Sequence, residues 1–94
     1  MPDARAVDAQ DRRLAFDRHV VPEIEVLLRV ARTIVSRPAD AEDLVQETLL
    51  RAYRGIKSFD GRHPRAWLLT IMRNAHVNSV RRRRPELLDD PDLD

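Results

Sequence analysis

The chain has 94 residues, of which 43% are apolar and 35% are charged, and its formal net charge is +1. One small domain fits this length, and two glycines with 4% aromatic residues argue against a sandwich or barrel of β-strands joined by turns. The lack of cysteine excludes a disulfide framework, a thiol nucleophile and a cysteine-ligated metal. The short apolar runs exclude a membrane span. We therefore expect an all-α domain without membrane insertion, located in the cytoplasm.

The first two helices differ in how clearly the sequence predicts them. Residues 1–8 lack the apolar segment of a signal peptide, and we expect them to form a disordered lead. A short helix with weak apolar periodicity is expected over 9–20. The second helix begins at Pro22, which suits a first helical turn, and ends before Pro38. Its apolar stripe has helical spacing and comprises Ile24, Leu27, Leu28, Ala31, Ile34 and Val35.

The third helix is predicted over 40–54, with Asp40 as its N-cap and Gly55 at its end. The stripe expected to be buried comprises Ala41, Leu44, Val45, Thr48, Leu49, Ala52 and Tyr53. A second stripe on the opposite face comprises Asp43, Gln46, Glu47, Leu50 and Arg54. An ordinary solvated face is the common explanation of such a pattern. The alternative is a docking face for a basic partner helix, with Leu50 as its apolar anchor.

The segment 56–63 is predicted to be a loop between the third and fourth helices. Asp60-Gly61 is a turn signal within this loop. Phe59 lies just before the turn, and its ring is either packed into the core or offered to a ligand. The sequence alone leaves both alternatives open.

The fourth helix is predicted from Pro64 to Arg83. Its first half is apolar nearly all round, so it should be buried on most sides. Trp67 lies on the apolar stripe and is expected to be a core residue, although an aromatic ring beside arginines also suits single-stranded nucleic acid. Asn74 is a poor helix former. Its amide either makes a buried structural hydrogen bond, caps the neighbouring loop or reads a base edge.

Charge is distributed unevenly along the chain. Residues 62–84 contain no acidic residue and seven arginines: Arg62, Arg65, Arg73, Arg81, Arg82, Arg83 and Arg84. This basic block is a candidate footprint of a polyanion, and the alternative is a solvated basic helix end. Residues 85–94 contain five acidic residues and no basic one, and are expected to be a disordered linker.

The sequence contains no pattern typical of an enzyme. Its three histidines, His19, His63 and His76, lack the spacing of metal ligands. Neither a nucleophile elbow nor a glycine-rich phosphate loop is present. We therefore expect no catalytic residue, no metal and no cofactor.

Two sequence strings resemble region 2 of bacterial sigma factors of the extracytoplasmic-function (ECF) group. The first is DAEDLVQE at 40–47, and the second is AWLLTIMRN at 66–74, followed by the arginines at 81–84. The resemblance covers residues 12–84 and implies a compact bundle of about four helices over 9–84. It implies a role in transcription initiation, with the domain bound to RNA polymerase and thereby associated with the nucleoid.

The resemblance also implies two sets of contacts. The third helix is expected to dock on the clamp helices of the polymerase β′ subunit through Asp43, Gln46, Glu47, Leu50 and Arg51. The loop from Lys57 to Arg65 is expected to capture a flipped base of the non-template strand of the promoter −10 element. Its candidate residues are Ser58, Phe59, Asp60, Arg62 and Arg65, supported on the fourth helix by Trp67, Asn74, Arg81, Arg82, Arg83 and Arg84.

The chain departs from the ECF pattern in one major respect. ECF sigma factors normally add a region-4 domain that reads the −35 element, whereas this sequence stops within what resembles the inter-domain linker, at 85–94. An excised domain or a natural fragment is therefore expected. Two alternative functions remain open: a module whose main ligand is an anti-sigma factor, and a generic helical module that binds nucleic acid through its arginines.

Overall fold

The structure, a computed structural model, describes residues 4–83, with side chains described from residue 8 onward. These residues form the helices α1 (Ala4–His19), α2 (Ile24–Ile34), α3 (Pro38–Gly55) and α4 (Pro64–Arg83). Single 3-10 turns, Val21–Glu23 and Ile56–Ser58, precede α2 and follow α3. No β-strand occurs between residues 4 and 83, which agrees with the predicted all-α class.

The helix α1 begins earlier than the sequence predicts. Residues 4–8, which were expected to belong to a disordered lead, already form its first turns. This part of the prediction is wrong because the segment contains neither glycine nor proline and includes two alanines, the strongest helix formers. Residues 1–3 of the expected lead lie outside the described part of the chain.

The helix α3 also begins earlier, at Pro38 instead of Asp40. Proline is favoured at the first helical position because its φ angle is already helical. The N-cap is Arg37, and no side chain caps this end by a hydrogen bond. Asp40 therefore lies in the first turn, and the N-cap role predicted for it is wrong. By contrast, α4 begins at Pro64, as predicted, and extends to Arg83, the last residue that the structure describes.

The core lies where α3 packs against α2 on one side and α4 on the other. Its buried apolar side chains are Val20, Leu27, Ala31, Ala41, Leu44, Val45, Ala52, Ile56, Leu68, Met72 and Ala75. Thr48 is buried among them, and its Oγ1 donates a hydrogen bond to the Leu44 carbonyl oxygen at 2.7 Å. The stripe predicted to be buried on α3 is confirmed, except that Leu49 and Tyr53 are half-buried.

The helix α4 is less buried than its composition predicts. Leu68, Met72 and Ala75 are buried, but Trp67 is half-buried and Thr70 is exposed. One side of α4 packs on α2 and α3, and its opposite, open side carries exposed residues, among them Thr70, Arg73 and Val77. That open side is where a ligand can approach the helix.

Candidate protein and nucleic-acid interfaces

The face of α3 opposite the core carries the residues that the sequence assigns to docking. Asp43, Gln46 and Leu50 are exposed, and Glu47 and Arg51 are half-buried. Leu50 exposes 53% of its surface. An apolar side chain ringed by polar groups is a typical centre of a protein contact. The structure thus brings the five predicted residues to one exposed surface, termed the docking face.

One ion pair crosses the docking face. Arg51 Nε donates to Glu47 Oε2 at 3.0 Å, one helical turn away. A pair of this kind contributes about 0.3–0.5 kcal/mol to the helix. The Glu47 carboxylate is therefore already oriented, and an incoming cation must either share it with Arg51 or displace Arg51.

Short-range hydrogen bonds shape the loop between α3 and α4. Ser58 Oγ donates to the Gly55 carbonyl oxygen at 2.8 Å. The Arg62 backbone N–H donates to Asp60 Oδ1 at 2.9 Å, which forms an Asx turn. Between them Gly61 has a φ of +85°, a left-handed conformation that suits glycine. The turn predicted at Asp60-Gly61 is present, and it occupies one oxygen of the Asp60 carboxylate.

Phe59 and Trp67 stack on each other beside this turn. Their ring centroids are 4.4 Å apart, and the ring planes make an angle of 20°. Both rings are half-buried and pack against the core, so neither is a fully buried core residue. The two rings border an open pocket of about 420 Å³, a size in the range of known ligand sites, about 300–1,000 Å³. We refer to it as the loop pocket.

The loop pocket brings together a large part of the predicted nucleic-acid site. The predicted residues that line it are Ser58, Phe59, Asp60, Arg62 and Trp67. His63, Ala66 and Thr70 complete the lining and were not predicted. Thr70 lies three positions after Trp67 on α4, so helical spacing was a signal that could have found it. His63 has a left-handed backbone conformation, with a φ of +51°, and nothing in the sequence indicates this conformation.

Two predicted residues of α4 stand apart from this pocket. Arg65 Nε donates to Glu23 Oε2 at 2.8 Å, so its guanidinium already has a carboxylate partner. A phosphate would have to share Arg65 with Glu23. Asn74 is exposed, so the buried structural hydrogen bond considered for it is wrong. Neither residue lines the loop pocket.

The arginines at the end of α4 are exposed and lie beside the acidic part of α3. The side chains of Arg81, Arg82 and Arg83 are exposed, and Arg84 lies outside the described residues. Arg83 Nη2 is 3.7 Å from Asp40 Oδ1. A cleft of about 330 Å³ separates the two helices here, with Asp40, Asp43 and Glu47 on α3 and His76, Arg82 and Arg83 on α4 among its lining residues. The sequence did not predict this α3–α4 cleft.

The described part of the chain has neither a membrane-spanning helix nor a cluster of metal-ligating side chains. None of its helices combines the length and the apolar character needed to cross a membrane. No cluster of three or more His, Asp or Glu side chains among these residues is arranged to hold a metal ion.

Residues 23–86 match the protein-family model described as Sigma-70 region 2. The matched segment begins just before α2 and extends past the end of α4. It thus contains both the docking face and the loop pocket.

Curated relatives show the same similarity. The ECF RNA polymerase sigma factor SigG of Mycobacterium tuberculosis is 41% identical over 80 residues, which cover 82% of this chain and 22% of that protein. SigM of Bacillus subtilis is 40% identical over 67 residues, covering 68% of this chain and 41% of SigM. EcfG of Rhodopseudomonas palustris is 50% identical over 64 residues, covering 66% and 35%. The chain thus spans less than half the length of these relatives.

Proposed function

This chain belongs to the ECF sigma factors, of which it comprises region 2, and we propose that it serves transcription initiation by binding both RNA polymerase core and promoter DNA. The docking face binds the clamp helices of the β′ subunit. The loop pocket and α4 bind the separated non-template strand of the −10 element. The observation that carries this proposal is the presence, within one family-matched segment, of an acidic face with an exposed leucine and of an aromatic pocket bordered by α4, whose other end carries exposed arginines.

The chemistry of the docking face supports a basic, helical partner. Asp43 and Glu47 are one helical turn apart, so they present two carboxylates to the same element of a partner. Leu50 supplies the apolar contact between them and the end of α3. A face of this kind fits a helix that carries basic residues around an apolar position.

The chemistry of the loop pocket supports an unpaired base as its ligand. Flipping a base out of the stack costs a few kcal/mol, and stacking on an aromatic side chain returns about 1–3 kcal/mol. Phe59 and Trp67 supply the aromatic wall, while Asp60 and Arg62 supply an acceptor and a donor for a base edge. Binding energy at this pocket keeps the strands apart, and polymerase performs the chemistry.

Phosphate contacts are assigned to the exposed arginines at the end of α4. Arg81, Arg82 and Arg83 offer three guanidinium groups within one helical turn. Guanidinium groups bind phosphate oxygens in a bidentate manner and supply affinity independent of sequence. Arg65 is a weaker candidate, because Glu23 already binds it.

Membership of this family indicates that the chain is not an enzyme, since sigma factors are transcription initiation factors. It also implies that the chain acts where RNA polymerase works, in the cytoplasm. Binding of an anti-sigma factor stays a prediction, and it would use the same docking face. A generic nucleic-acid module is the weaker alternative, because it gives no function to the exposed leucine and carboxylates of α3.

The test of the docking assignment is Glu47→Lys, assayed by binding of the full chain to purified bacterial core RNA polymerase. The substitution reverses the charge of one carboxylate and places a lysine beside Arg51, one turn away. We expect the affinity to fall by at least tenfold, because truncating a central charged contact of an interface costs about 2 kcal/mol or more. Circular dichroism should report an unchanged helix content.

Glu42→Lys is the matched control for this experiment. Glu42 is exposed on the same helix, lies outside the docking face, and undergoes the same change of charge. We expect Glu42→Lys to bind polymerase within about twofold of the unmodified chain. Equal losses in the two variants would mean that only the net charge matters, and would contradict docking through Glu47.

A further inference from the structure

Three aromatic side chains from three different elements contact one another in sequence beside the loop pocket, and we refer to them as the ring stack. His19 is the last residue of α1, Phe59 follows the second 3-10 turn, and Trp67 belongs to α4. The His19 and Phe59 centroids are 5.3 Å apart with an angle of 79°, an edge-to-face arrangement. Phe59 and Trp67 are the parallel pair described above. His19 is the one ring of the three that has no role in the proposed function.

Phe59 lies in the connection between the second 3-10 turn and α4. Phe59 has an extended backbone, and its N–H donates to the Ile56 carbonyl oxygen at 3.1 Å. The residues that follow include two with left-handed backbone, Gly61 and His63. The Phe59 ring is held by its packing against the core and by the rings on either side of it.

The two neighbours of Phe59 differ in their relation to the pocket. Trp67 lines the loop pocket together with Phe59, whereas His19 does not line it. His19 thus contacts Phe59, which forms part of the aromatic wall, but does not itself line the pocket. A second contact joins α1 to the same loop region, since Asp8 forms an ion pair with Lys57. The helix α1 supports the segment from Lys57 to Phe59 at two points.

We propose that His19 is a positioning residue, which holds Phe59 against Trp67 and so fixes the shape of a pocket that accepts an unpaired nucleobase. The inference rests on the proposed binding of a base in the loop pocket. It extends that site to α1, which contributes no residue to the pocket lining. An aromatic pair stabilises its arrangement beyond the effect of buried area alone, so loss of the His19 ring releases Phe59 from one of its two ring contacts.

The first arm of the test uses the full chain without nucleic acid. Trp67 is the sole tryptophan of the sequence, so near-ultraviolet circular dichroism and tryptophan fluorescence report directly on the stack. We expect His19→Ala to reduce the near-ultraviolet signal and to increase quenching of Trp67 by acrylamide. His19→Phe, which keeps a ring at this position, should restore both signals. Unchanged Trp67 signals in His19→Ala would overturn the proposal.

The second arm measures binding of a short single-stranded DNA and of the same strand with one abasic site. Both strands keep their phosphates, so the ratio of the two affinities isolates the contribution of the base. We expect His19→Ala to lower this ratio about three- to tenfold, which corresponds to the loss of one aromatic pair. We expect His19→Phe to restore it. A ratio that His19→Ala leaves unchanged would overturn the proposal.

His76→Ala is the matched control for both arms. His76 is also half-buried, but it lies on the lining of the α3–α4 cleft instead of the ring stack. It should leave the Trp67 signals and the affinity ratio unchanged, and equal effects of the two substitutions would contradict a specific role of His19. If the unmodified chain does not distinguish the abasic strand, base binding itself fails, whereas the spectroscopic arm still decides whether His19 holds the rings.

Discussion

Two leucines of α3 show how position on one helix separates stability from binding. Leu44 is 7% exposed and packs in the core, whereas Leu50 is 53% exposed and lies on the docking face. Removing a buried leucine costs its transfer free energy and leaves a cavity. Removing an exposed one changes little in the free domain, because its apolar surface already contacts water. The same substitution should therefore lower the free energy of unfolding at Leu44 and lower the affinity for a partner at Leu50.

Leu50→Ala should weaken binding to core polymerase about tenfold and leave the free energy of unfolding within about 0.5 kcal/mol of its original value. Leu44→Ala should lower the free energy of unfolding by about 2–5 kcal/mol. Urea denaturation followed by circular dichroism measures stability, and titration of labelled chain with core polymerase measures binding. A loss of stability in Leu50→Ala equal to that in Leu44→Ala would contradict an exposed docking role.

Two glycines permit a similar comparison near the loop pocket. At Gly61 the φ angle is +85° and no atom lies within 4 Å of an added Cβ, so Gly61→Ala introduces backbone strain without a clash. We expect a cost of about 1–2 kcal/mol, together with weaker binding of single-stranded DNA, because the Asx turn at Asp60 must shift. Gly55→Ala is the control, with a φ of −100° and an added Cβ 4.0 Å from Trp67 Cζ2. It should be neutral or slightly stabilising, and an equal loss of DNA binding in both variants would exclude a specific effect of the Gly61 turn.

Helical spacing predicted that Asp43, Gln46, Glu47 and Leu50 share one face of the third helix, and the structure places them on the face of α3 away from the core. The same reasoning could not find the Glu23–Arg65 ion pair, whose partners are 42 positions apart in sequence. It also could not find His19, since the contact with Phe59 depends on how α1 packs against the loop. The local residue pattern thus predicts which residues share one face of a helix. Contacts between distant segments depend on tertiary packing, which the pattern does not show.

At the scale of elements, helix boundaries were harder to predict than helix faces. Both Pro38 and Asp40 are good signals for the start of α3, and the sequence does not show which one prevails. The residue pattern of α4 predicted its start correctly but overestimated its burial, since Trp67 is half-buried and Thr70 is exposed. Apolar composition alone therefore does not show which side of a helix is buried by the rest of the domain.

The arginine end of α4 gives a prediction about salt dependence. Replacing Arg81, Arg82 and Arg83 by alanine removes three potential phosphate contacts. The logarithm of the affinity for single-stranded DNA should then fall less steeply with the logarithm of salt concentration, by about 2 in slope at most. Replacing Arg18, Arg29 and Arg32, which are exposed on α1 and α2, is the charge-matched control. If both triple variants show the same slope, the end of α4 acts only through net charge.

At the scale of the whole molecule, the net charge of +1 conceals a separation of charge that folding brings face to face. The acidic side chains of α3 and the arginines of α4 are far apart in sequence, yet they line the same α3–α4 cleft. Arg83 and Asp40 form an ion pair across it at 3.7 Å. If the arginines of α4 bind phosphates as proposed, we expect the carboxylates of α3 to compete for them, although the two groups belong to different proposed interfaces.

Asp40→Asn tests this competition. The substitution removes the carboxylate that faces Arg83, so we expect the affinity for single-stranded DNA to rise about two- to fivefold at low salt, the range set by an exposed ion pair. The gain should disappear at high salt because exposed charges are screened. Glu42→Gln is the control, since Glu42 is exposed on α3 and does not line the cleft. An equal gain in both variants, or none in Asp40→Asn, would show that the acidic part of α3 does not restrain the arginines of α4.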